Sequence, residues 1–197
     1  MTKIIFDLDD TLYQNSKLRN SREQAILKFL GEKKSQYIEL RKTKGTIKSL
    51  EILGISREKF NEIVSSVPIS LQKNLKLIKI LSELKKEHKL IILSNNSNYI
   101  IKKTISQLGI NNLVDEYHGT DDFSSIKPSH EFFSLVKKED IVIGNNFKKD
   151  LAIPKEKEAI TILISKENNQ LADYTIPSIY QLLTIIKKIK SRQLNIL

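Results

Sequence analysis

An uninterrupted apolar run that ends abruptly in acidic residues constrains this chain more than any other feature. Residues 4–6 read Ile-Ile-Phe, and because they leave no polar face they predict a short strand buried on both sides. Asp7 follows at once, and Asp9 and Asp10 lie two and three residues further on. In an open α/β sheet, ligands bind outside the carboxyl ends of the strands. Asp7 is therefore predicted to lie where a nucleophile or a metal ligand would lie.

The crowding of three carboxylates in this segment also predicts a bound cation. An acid beside a like charge resists ionisation, and a cation placed between the acids removes that repulsion. Mg²⁺ prefers hard carboxylate and carbonyl oxygens, and Asp9 is close enough in sequence to reach the same space as Asp7. An acidic surface turn with Asp10 as a capping residue is the alternative that the triplet alone leaves open.

Length and composition fit a soluble globular protein. The chain has 197 residues, 40% of them hydrophobic and 28% charged, which suits one domain or a core with a small lid. The absence of cysteine excludes disulfides, thiolate metal sites and cysteine nucleophiles. The first strand begins almost directly after Met1, and no apolar run approaches the length of a membrane span. We therefore expect neither a signal peptide nor a membrane partner, and we expect a cytoplasmic protein.

The positive charge of the chain comes mostly from lysine. The formal net charge is +10 and the isoelectric point is about 9.6. Many of the lysines form pairs along predicted helices, such as Lys85-Lys86 and Lys187-Lys188, which is typical of solvated helix faces. Arginine, which is suited to bidentate phosphate contacts, is scarce. We therefore do not expect a nucleic-acid partner, although the field could draw anionic substrates toward a cleft.

Residues 14–70 are predicted to form a compact helical insert. Apolar residues recur at helical spacing in four segments separated by Gly or by polar turns, which are 18–30, 35–44, 47–53 and 56–67. Tyr37 and Arg41 are one turn apart on the second helix and share a face. These two side chains are candidates for contacting an anionic or aromatic group of a substrate, and simple surface exposure of both is the alternative.

A second buried strand ends in small hydrogen-bonding residues. A helix over 70–88 leads into a strand over 89–93, and a helix over 99–108 follows the turn that contains Ser94 and Asn95. Hydroxyl, amide and helix N-terminal N–H groups that converge in this way can bind phosphate. Ser and Asn are also ordinary helix N-caps, so this segment alone leaves both interpretations open.

The remainder of the chain continues to alternate between strands and helices. The predicted elements are a strand over 114–118, a helix with Phe132 and Phe133 after Lys127-Pro128, strands over 139–143, 160–164 and 174–176, and a last helix after Ser178. Strands that alternate with helices indicate a parallel sheet with right-handed crossovers.

Four motifs in this order resemble those of the haloacid dehalogenase superfamily. Residues 7–11 match its first motif, Asp-x-Asp-x-Thr, and the sequence FDLDDTLY resembles the pyrimidine 5′-nucleotidase-like phosphatases in particular. Ser94 matches the second motif, and Lys127 before its proline matches the third. Asn145 and Asp150 stand in the fourth motif, where the family has an aspartate at the position of Asn145. The resemblance covers almost the whole chain.

The resemblance implies both a fold and a domain organisation. The fold would be an α/β, Rossmann-like parallel sheet flanked by helices, with a small all-helical cap inserted after the first strand. Residues 1–13 and 71–197 would form the core domain. Residues 14–70 would form the cap, which in the family closes over the active site and selects the substrate.

The resemblance also implies a Mg²⁺-dependent phosphatase that hydrolyses a small phosphate monoester. Asp7 would be the nucleophile that becomes an aspartyl-phosphate, Asp9 the general acid and base, and Lys127 the residue that neutralises charge. The phosphate-binding residues would be Ser94, Asn95 and Lys127. The Mg²⁺ ligands would be Asp7, Asp9, Asn145 and Asp150. The partner would be a small phosphorylated metabolite, with nucleoside 5′-monophosphates favoured.

Two other functions fit the same fold. A 2-haloacid dehalogenase also uses an aspartate nucleophile, but its first motif lacks the second carboxylate because a halide leaves without a proton. Asp9 therefore favours a phosphatase. A non-catalytic binding or regulatory protein is the other alternative, and Asn145 supports it because an amide oxygen attracts Mg²⁺ less than a carboxylate does.

Overall fold

A computed structural model describes residues 2–194 of the chain. Two compact units are present, one made of Met1–Gln14 with Leu71–Leu197 and the other of Asn15–Ser70. We call the first the core unit and the second the helical unit.

The core unit is built on a six-stranded sheet in which every neighbouring pair of strands is parallel. The strands are β1 Lys3–Phe6, β2 Lys89–Leu93, β3 Glu116–His118, β4 Ile141–Gly144, β5 Ile160–Ile164 and β6 Tyr174–Ile176. Their order is β3-β2-β1-β4-β5-β6, so the direction of winding reverses between β1 and β4. That order is the Rossmann-like arrangement, and it confirms the predicted α/β fold.

The central position of β1 explains its uninterrupted apolar sequence. Ile4, Ile5 and Phe6 are 0%, 1% and 2% exposed, because β2 lies on one side of β1 and β4 on the other while both faces of the sheet are covered. Ile5 is in register with Ile91 of β2 and with Val142 of β4. Burial on both faces is what a parallel sheet in an α/β protein requires.

The helical unit contains four helices, and side-chain caps or glycine mark several of their ends. They are α1 Ser16–Leu30, α2 Lys34–Lys44, α3 Thr46–Ile52 and α4 Arg57–Ser66. Asn15 accepts a hydrogen bond from the amide of Leu18 at 2.9 Å, and Ser56 accepts one from the amide of Lys59 at 3.3 Å, as N-caps do. Gly45 separates α2 from α3 at φ +76°, a conformation that glycine adopts without steric cost.

The core unit adds four further helices. They are α5 Leu75–Lys85, α6 Asn98–Leu108, α7 Ala152–Glu156 and α8 Leu182–Leu194, with a π-helical turn over Phe147–Leu151 and a 3₁₀ turn over Ile179–Gln181 before α7 and α8. The lysine-rich helix faces are solvated, as Lys86–Glu83 and Lys59–Glu62 ion pairs on exposed surfaces illustrate. Within residues 2–194 no helix combines the length and the apolar character that crossing a membrane would need.

The predicted start of the helix before β2 is wrong by five residues. The sequence indicated a helix from Ser70, but α5 begins at Leu75 with Asn74 as its N-cap. The amide of Leu71 donates to Gln107 Oε1 at 2.8 Å, and the amide of Asn74 donates to the carbonyl of Leu108 at 3.2 Å. These contacts with the end of α6 hold residues 71–74 in an extended conformation.

The helix predicted after Pro128 is absent. Residues 130–135 form turns, and β4 begins at Ile141 instead of residue 139. Phe132 and Phe133 are 0% and 1% exposed although they are adjacent, and the irregular backbone allows both rings to enter the core. Glu139 has φ +68°, which is incompatible with a strand.

His88, the residue directly before β2, is buried, although a histidine between a lysine-rich helix and a strand would be expected at the surface. It is 7% exposed. Burial, followed by the nearby Lys190 ammonium, lowers the pKa of His88, against smaller opposing contributions from Thr2 and Glu87. The folded protein therefore takes up a proton at this ring less readily than the unfolded chain does.

We expect the stability of the protein to fall as the pH drops below the ordinary histidine pKa of 6.5, because only the unfolded chain then gains a proton at His88. His88→Leu should flatten the dependence of the unfolding free energy on pH between about 7 and 5. Urea titrations at a series of pH values measure this slope. His130→Leu is the control because His130 is exposed, and an equal change of slope in both variants would contradict the assignment to His88.

Candidate active site

A tight turn after β1 brings the first motif to the carboxyl edge of the sheet. The amide of Asp7 donates to the carbonyl of Ile143 in β4 at 2.8 Å, which extends the β1–β4 pairing by one residue. The chain then turns back on itself, with the amide of Leu12 donating to the carbonyl of Leu8 at 3.0 Å. Asp10 has φ +58° within this turn, a conformation that Asp tolerates better than most residues.

Asp7 lies at the centre of a buried group of charges. Lys127 Nζ is 2.9 Å from Asp7 Oδ1 and 3.0 Å from Asp150 Oδ1, so one ammonium links two carboxylates. Thr11 Oγ1 donates to the other oxygen of Asp7 at 3.1 Å. The three charged residues come from the ends of β1 and β4 and from the connection between β3 and β4. The structure therefore assembles three of the predicted motifs at the point where the strand order reverses.

The turn after β2 holds the backbone of Lys127. The amide of Lys127 donates to Asn95 Oδ1 at 2.9 Å, and Asn95 Nδ2 donates to the carbonyl of Lys127 at 3.5 Å. Ser94 is 1% exposed, and its hydroxyl accepts hydrogen bonds from the amide and the side chain of Asn96 at 3.2 and 3.0 Å. The side chain of Asn95 thus joins the second motif to the third through hydrogen bonds with both the amide and the carbonyl of Lys127.

A carboxylate further along the chain closes the loop that contains Lys127. The amide and hydroxyl of Ser124 donate to Glu131 Oε1 at 2.9 Å each, and the hydroxyl of Ser125 donates to Glu131 Oε2 at 2.6 Å. The hydroxyls of Ser125 and Ser124 lower the pKa of the exposed Glu131 carboxyl to about 2. Glu131 was not among the predicted site residues, although the spacing of two serines and a glutamate around Lys127 is a local signal for such a closed loop.

Only glycine fits at position 144, because Asp150 packs directly against its backbone. A Cβ atom on Gly144 would lie 2.4 Å from Asp150 Cβ and 2.9 Å from its Oδ2. The π-helical turn returns Asp150 to this position, with the amide of Asp150 donating to the carbonyl of Asn146 at 2.8 Å and the amide of Asn146 donating to Asp150 Oδ2 at 3.0 Å. Both oxygens of Asp150 are thereby engaged, one by Asn146 and one by Lys127.

The electrostatics of the site show an excess of negative charge. Burial raises the pKa of Asp7 to about 7, with further increases from Asp150 and Asp9 that Lys127 offsets only in part. Burial alone would lower the pKa of Lys127, but the Asp150 and Asp7 carboxylates raise it. Lys127 is therefore an ammonium at neutral pH, while the Asp7 carboxylate lacks sufficient positive charge around it.

The oxygens of the site suit a divalent cation. Burial is the larger cause of the raised pKa of Asp7, and the negative charge that Asp150 and Asp9 add around Asp7 raises this pKa further. Within residues 2–194, no three or more His, Cys, Asp or Glu side chains come together as a set that could hold a metal by themselves. A hard cation would thus need neutral oxygens as well as carboxylates, which is the mixed set that Mg²⁺ accepts. Asn145 is exposed beside Gly144 and offers an amide oxygen.

We expect Asn145→Asp to lower the Mg²⁺ concentration that gives half-maximal turnover by about tenfold, or about 1.4 kcal/mol. A carboxylate attracts Mg²⁺ more strongly than the amide oxygen that it replaces. The measurement is a Mg²⁺ titration of phosphate-ester turnover.

Asn146→Asp is the matched control for this titration. It makes the same change of charge one residue away, and Asn146 caps the π-helical turn through its Oδ1, which accepts from the amide of Lys149 at 3.1 Å. Aspartate serves equally well as an N-cap. An equal shift of the half-maximal Mg²⁺ concentration in both variants would mean that the new carboxylate at position 145 acts only through its negative charge and not as a Mg²⁺ ligand.

The two residues of the helical unit that were predicted to contact substrate differ in their exposure. Tyr37 has no exposed surface, and its hydroxyl donates to Glu23 Oε2 at 3.4 Å. Arg41 is 43% exposed and forms an ion pair with Glu23 at 2.8 Å. The side chain of Tyr37 therefore presents no surface to a ligand in this structure, whereas the guanidinium of Arg41 remains accessible.

The sequence of this chain is similar to those of a known protein family and of a known protein. The sequence model of the haloacid dehalogenase-like hydrolases matches residues 4–144. The glyceraldehyde 3-phosphate phosphatase of Methanocaldococcus jannaschii is 27% identical over 222 aligned positions, which cover 95% of this chain and 97% of that protein.

Solved structures share the fold at lower identity. A β-phosphoglucomutase from Clostridium difficile superimposes with a TM-score of 0.74 at 18% identity, covering 98% of this chain and 100% of that one. A phosphatase of the same superfamily from Thermococcus onnurineus gives a TM-score of 0.71 at 20% identity, covering 94% of this chain and 98% of the other. At these identities the superpositions bear on the fold alone.

Proposed function

The chain belongs to the family of haloacid dehalogenase-like hydrolases, and from that premise we propose that it is a Mg²⁺-dependent phosphatase acting on a small phosphate monoester through an aspartyl-phosphate. The observation that carries the proposal is the Asp7 carboxylate at the carboxyl end of β1, whose side chain is only 13% exposed, with Lys127 Nζ at 2.9 Å. A second carboxylate, Asp9, lies two residues further along the same turn. A nucleophile with an adjacent acid is the arrangement that covalent phosphoryl transfer needs.

In the first proposed step, an oxygen of Asp7 attacks the phosphorus of the ester. The Asp7 oxygen–phosphorus bond forms as the bond between phosphorus and the leaving oxygen breaks. The carboxyl proton of Asp9 passes to the leaving oxygen, so the product is a neutral alcohol and Asp9 becomes a carboxylate. This division of the reaction replaces one difficult displacement by two easier ones.

In the second proposed step, water releases the phosphoryl group from Asp7. The Asp9 carboxylate takes a proton from the water as the water oxygen bonds to phosphorus, and the bond to Asp7 breaks. Inorganic phosphate leaves, Asp7 returns to a carboxylate, and Asp9 is again protonated. The same residue therefore acts as acid in one step and as base in the next.

Positive charge and hydrogen-bond donors would stabilise the transferring group. Lys127 supplies a buried ammonium, and Ser94 and Asn95 supply a hydroxyl and an amide from the turn after β2. Such preorganised groups act strongly in a site from which water is largely excluded. Asn95 has a second task, because it holds the backbone of Lys127 through the contact at 2.9 Å.

Mg²⁺, if bound as proposed, would be held by Asp7, the backbone carbonyl of Asp9, Asn145 and Asp150. When bound, it supplies positive charge that offsets the negative charge of the substrate oxygens and of the carboxylates. The excess of carboxylates over ammonium groups at the site supports this assignment. The raised pKa of Asp7 supports it too, since a cation would favour the ionised nucleophile.

Asp9 favours a phosphatase over a dehalogenase. A halide leaves without a proton, so a dehalogenase has no need for an acid at this position. The side chain of Asp9 receives hydrogen bonds from Tyr13 and Asn96, which hold it as a defined part of the site.

The substrate is proposed to be a small phosphorylated metabolite. A nucleoside 5′-monophosphate is the candidate that the first motif suggested, and the name of the Methanocaldococcus jannaschii relative adds glyceraldehyde 3-phosphate. Arg41 is the residue of the helical unit that remains available for an anionic group. We place the reaction in the cytoplasm, as the sequence analysis predicted. A panel of nucleotide and triose phosphates separates the candidates by kcat/KM.

The proposed function is tested by turnover of an aryl phosphate with and without Mg²⁺. We expect release of inorganic phosphate with Mg²⁺ and its loss when a chelator is added, followed by recovery when excess Mg²⁺ is restored. A dehalogenase or a non-catalytic protein would release no phosphate under any of these conditions. Release of phosphate that persists in the chelator would show that the protein is a phosphatase that does not require a metal ion.

A further inference from the structure

The turn after β1 places a tyrosine hydroxyl on Asp9. Asp9 and Tyr13 form an isolated parallel β-bridge, and the hydroxyl of Tyr13 donates to Asp9 Oδ1. This contact repeats the geometry of Thr11, whose hydroxyl donates to Asp7 Oδ2 at 3.1 Å. Each of the two proposed catalytic carboxylates thus has a hydroxyl donor four residues further along the chain. Tyr13 is 8% exposed, so its ring is fixed by packing.

An asparagine from the turn after β2 contacts the other oxygen of Asp9. Asn96 Nδ2 donates to Asp9 Oδ2, although the two residues are 87 positions apart in the sequence. Asn96 is itself held, because its carbonyl accepts from the amide of Thr120 at 2.9 Å and its amide donates to Ser94 Oγ at 3.2 Å. Gly119 lets the two loops approach, since a Cβ there would lie 2.4 Å from the carbonyl oxygen of Asn96.

We infer that Tyr13 and Asn96 are positioning residues that hold the Asp9 carboxyl group in one orientation for proton transfer. The inference rests on the proposed function, because it assigns these residues to the acid–base step of that mechanism. A hydrogen bond to each oxygen restricts rotation of the carboxyl group about its last bond. Tyr13 and Asn96 approach from different loops, so the two contacts together fix its plane.

The orientation of Asp9 matters because proton transfer needs the acid within hydrogen-bond distance of the leaving oxygen. A displacement of about 1 Å can slow a reaction by about a hundredfold. A rotating carboxyl group would spend part of its time with neither oxygen correctly placed. Loss of either contact should thus slow the step that needs the proton and leave substrate binding largely unchanged.

The test compares leaving groups in the Tyr13→Phe and Asn96→Leu variants. Tyr13→Phe keeps the buried ring and removes only the hydroxyl, while Asn96→Leu keeps the approximate size and removes the side-chain donor without adding a charge beside Asp9; Ser94 Oγ keeps its contact with the amide of residue 96. For an alkyl phosphate we expect kcat/KM to fall by about ten- to a hundredfold in each variant. For an aryl phosphate with an acidic leaving group, kcat/KM should fall less than about threefold, because that group departs without a proton.

The Asp9→Ala variant provides the reference for this comparison and a double-mutant cycle. Once the Asp9 carboxyl group is absent, Tyr13→Phe should change kcat/KM for the alkyl phosphate by less than about twofold, as residues acting through one group are non-additive. A general effect of Tyr13 on the structure would instead produce the same loss in both backgrounds. Tyr99→Phe is the control, since Tyr99 is 58% exposed on α6.

The outcomes separate the inference from the proposed function. In one outcome, the loss of kcat/KM in Asp9→Ala depends on the leaving group, but kcat/KM of both positioning variants falls by the same factor for every substrate. That outcome overturns the inference and leaves the proposed function standing. If Asp9→Ala shows no dependence on the leaving group, the acid–base role of Asp9 fails and the inference fails with it. Absence of any turnover in the natural protein would overturn both. Melting temperatures confirm that each variant is folded at the assay temperature.

Discussion

Asp7→Asn is expected to abolish turnover and, without Mg²⁺ near neutral pH, to yield a protein more stable than the natural one. Loss of a covalent nucleophile lowers kcat by a factor on the order of a million. The gain in stability has a separate cause, because burial raises the pKa of Asp7 to about 7 from its ordinary 3.8. The ionised form of this carboxyl group is therefore disfavoured in the folded protein.

The sign of the effect on stability follows from where the proton resides. Between the two pKa values the folded protein keeps the proton on Asp7 while the unfolded chain has lost it, so the free energy of unfolding falls as the pH rises. Asparagine does not ionise, and Asp7→Asn should remove this part of the pH dependence. Thermal unfolding from pH 4 to 8 without Mg²⁺, together with single-turnover assays, measures both effects.

Asp10→Asn is the matched control for the nucleophile variant. It makes the same chemical change in the same turn, and asparagine tolerates the positive φ of +58° at this position. We expect near-natural turnover and an unchanged dependence of stability on pH. Comparable turnover of Asp7→Asn and the natural protein would remove the aspartyl-phosphate mechanism altogether.

Lys127→Met is expected to impair both turnover and folding. The side chains of Lys127 and Asp150 are 3% and 6% exposed, and removal of the ammonium leaves two neighbouring carboxylates without it. Breaking a buried ion pair in this way destabilises a protein by about 3–5 kcal/mol. Loss of one group that stabilises the transition state lowers kcat by a further factor on the order of a hundred to a thousand.

Urea unfolding and turnover at a temperature where the variant is folded separate these two effects of Lys127→Met. Lys138→Met is the control, because Lys138 lies in the same connection between β3 and β4 with a side chain 68% exposed. Its ion pair with Glu158 at 2.6 Å is exposed to solvent, and such pairs contribute about 1 kcal/mol or less. Unchanged stability of Lys127→Met would show that desolvation of the three charges cancels their attraction.

The inner strands of the sheet could be predicted because they are short and mostly apolar runs. The strands over 89–93 and 160–164 were predicted with the bounds that the structure shows, since burial on both faces leaves a clear signal. The start of α5 could not be predicted, because the contact between Leu71 and Gln107 spans 36 positions. The turns after Pro128 depend on two adjacent buried phenylalanines, whose joint burial is a property of the assembled core.

The sequence indicated which positions form the site, but it did not indicate which side chains contact one another there. The resemblance to the family implied Asp7, Lys127 and Asp150 as site residues, and the structure brings their side chains within ion-pair distance of one another through Lys127. The contact of Asn96 with Asp9 joins positions 87 apart, and no local pattern signals it. Tyr13 carried a weak local signal, since it lies four residues after Asp9 as Thr11 lies four residues after Asp7.

The insertion of the helical unit into a single connection of the core has an evolutionary consequence. The chain leaves the core unit after Gln14 and re-enters it at Leu71, while β1 pairs with β2 and β4, which both belong to the core unit. The contacts among Asp7, Lys127 and Asp150 are likewise made inside the core unit. Recombination that exchanges the insert would leave these contacts in place. Descendants of one ancestral gene could thus diversify in the insert without rebuilding the reaction centre.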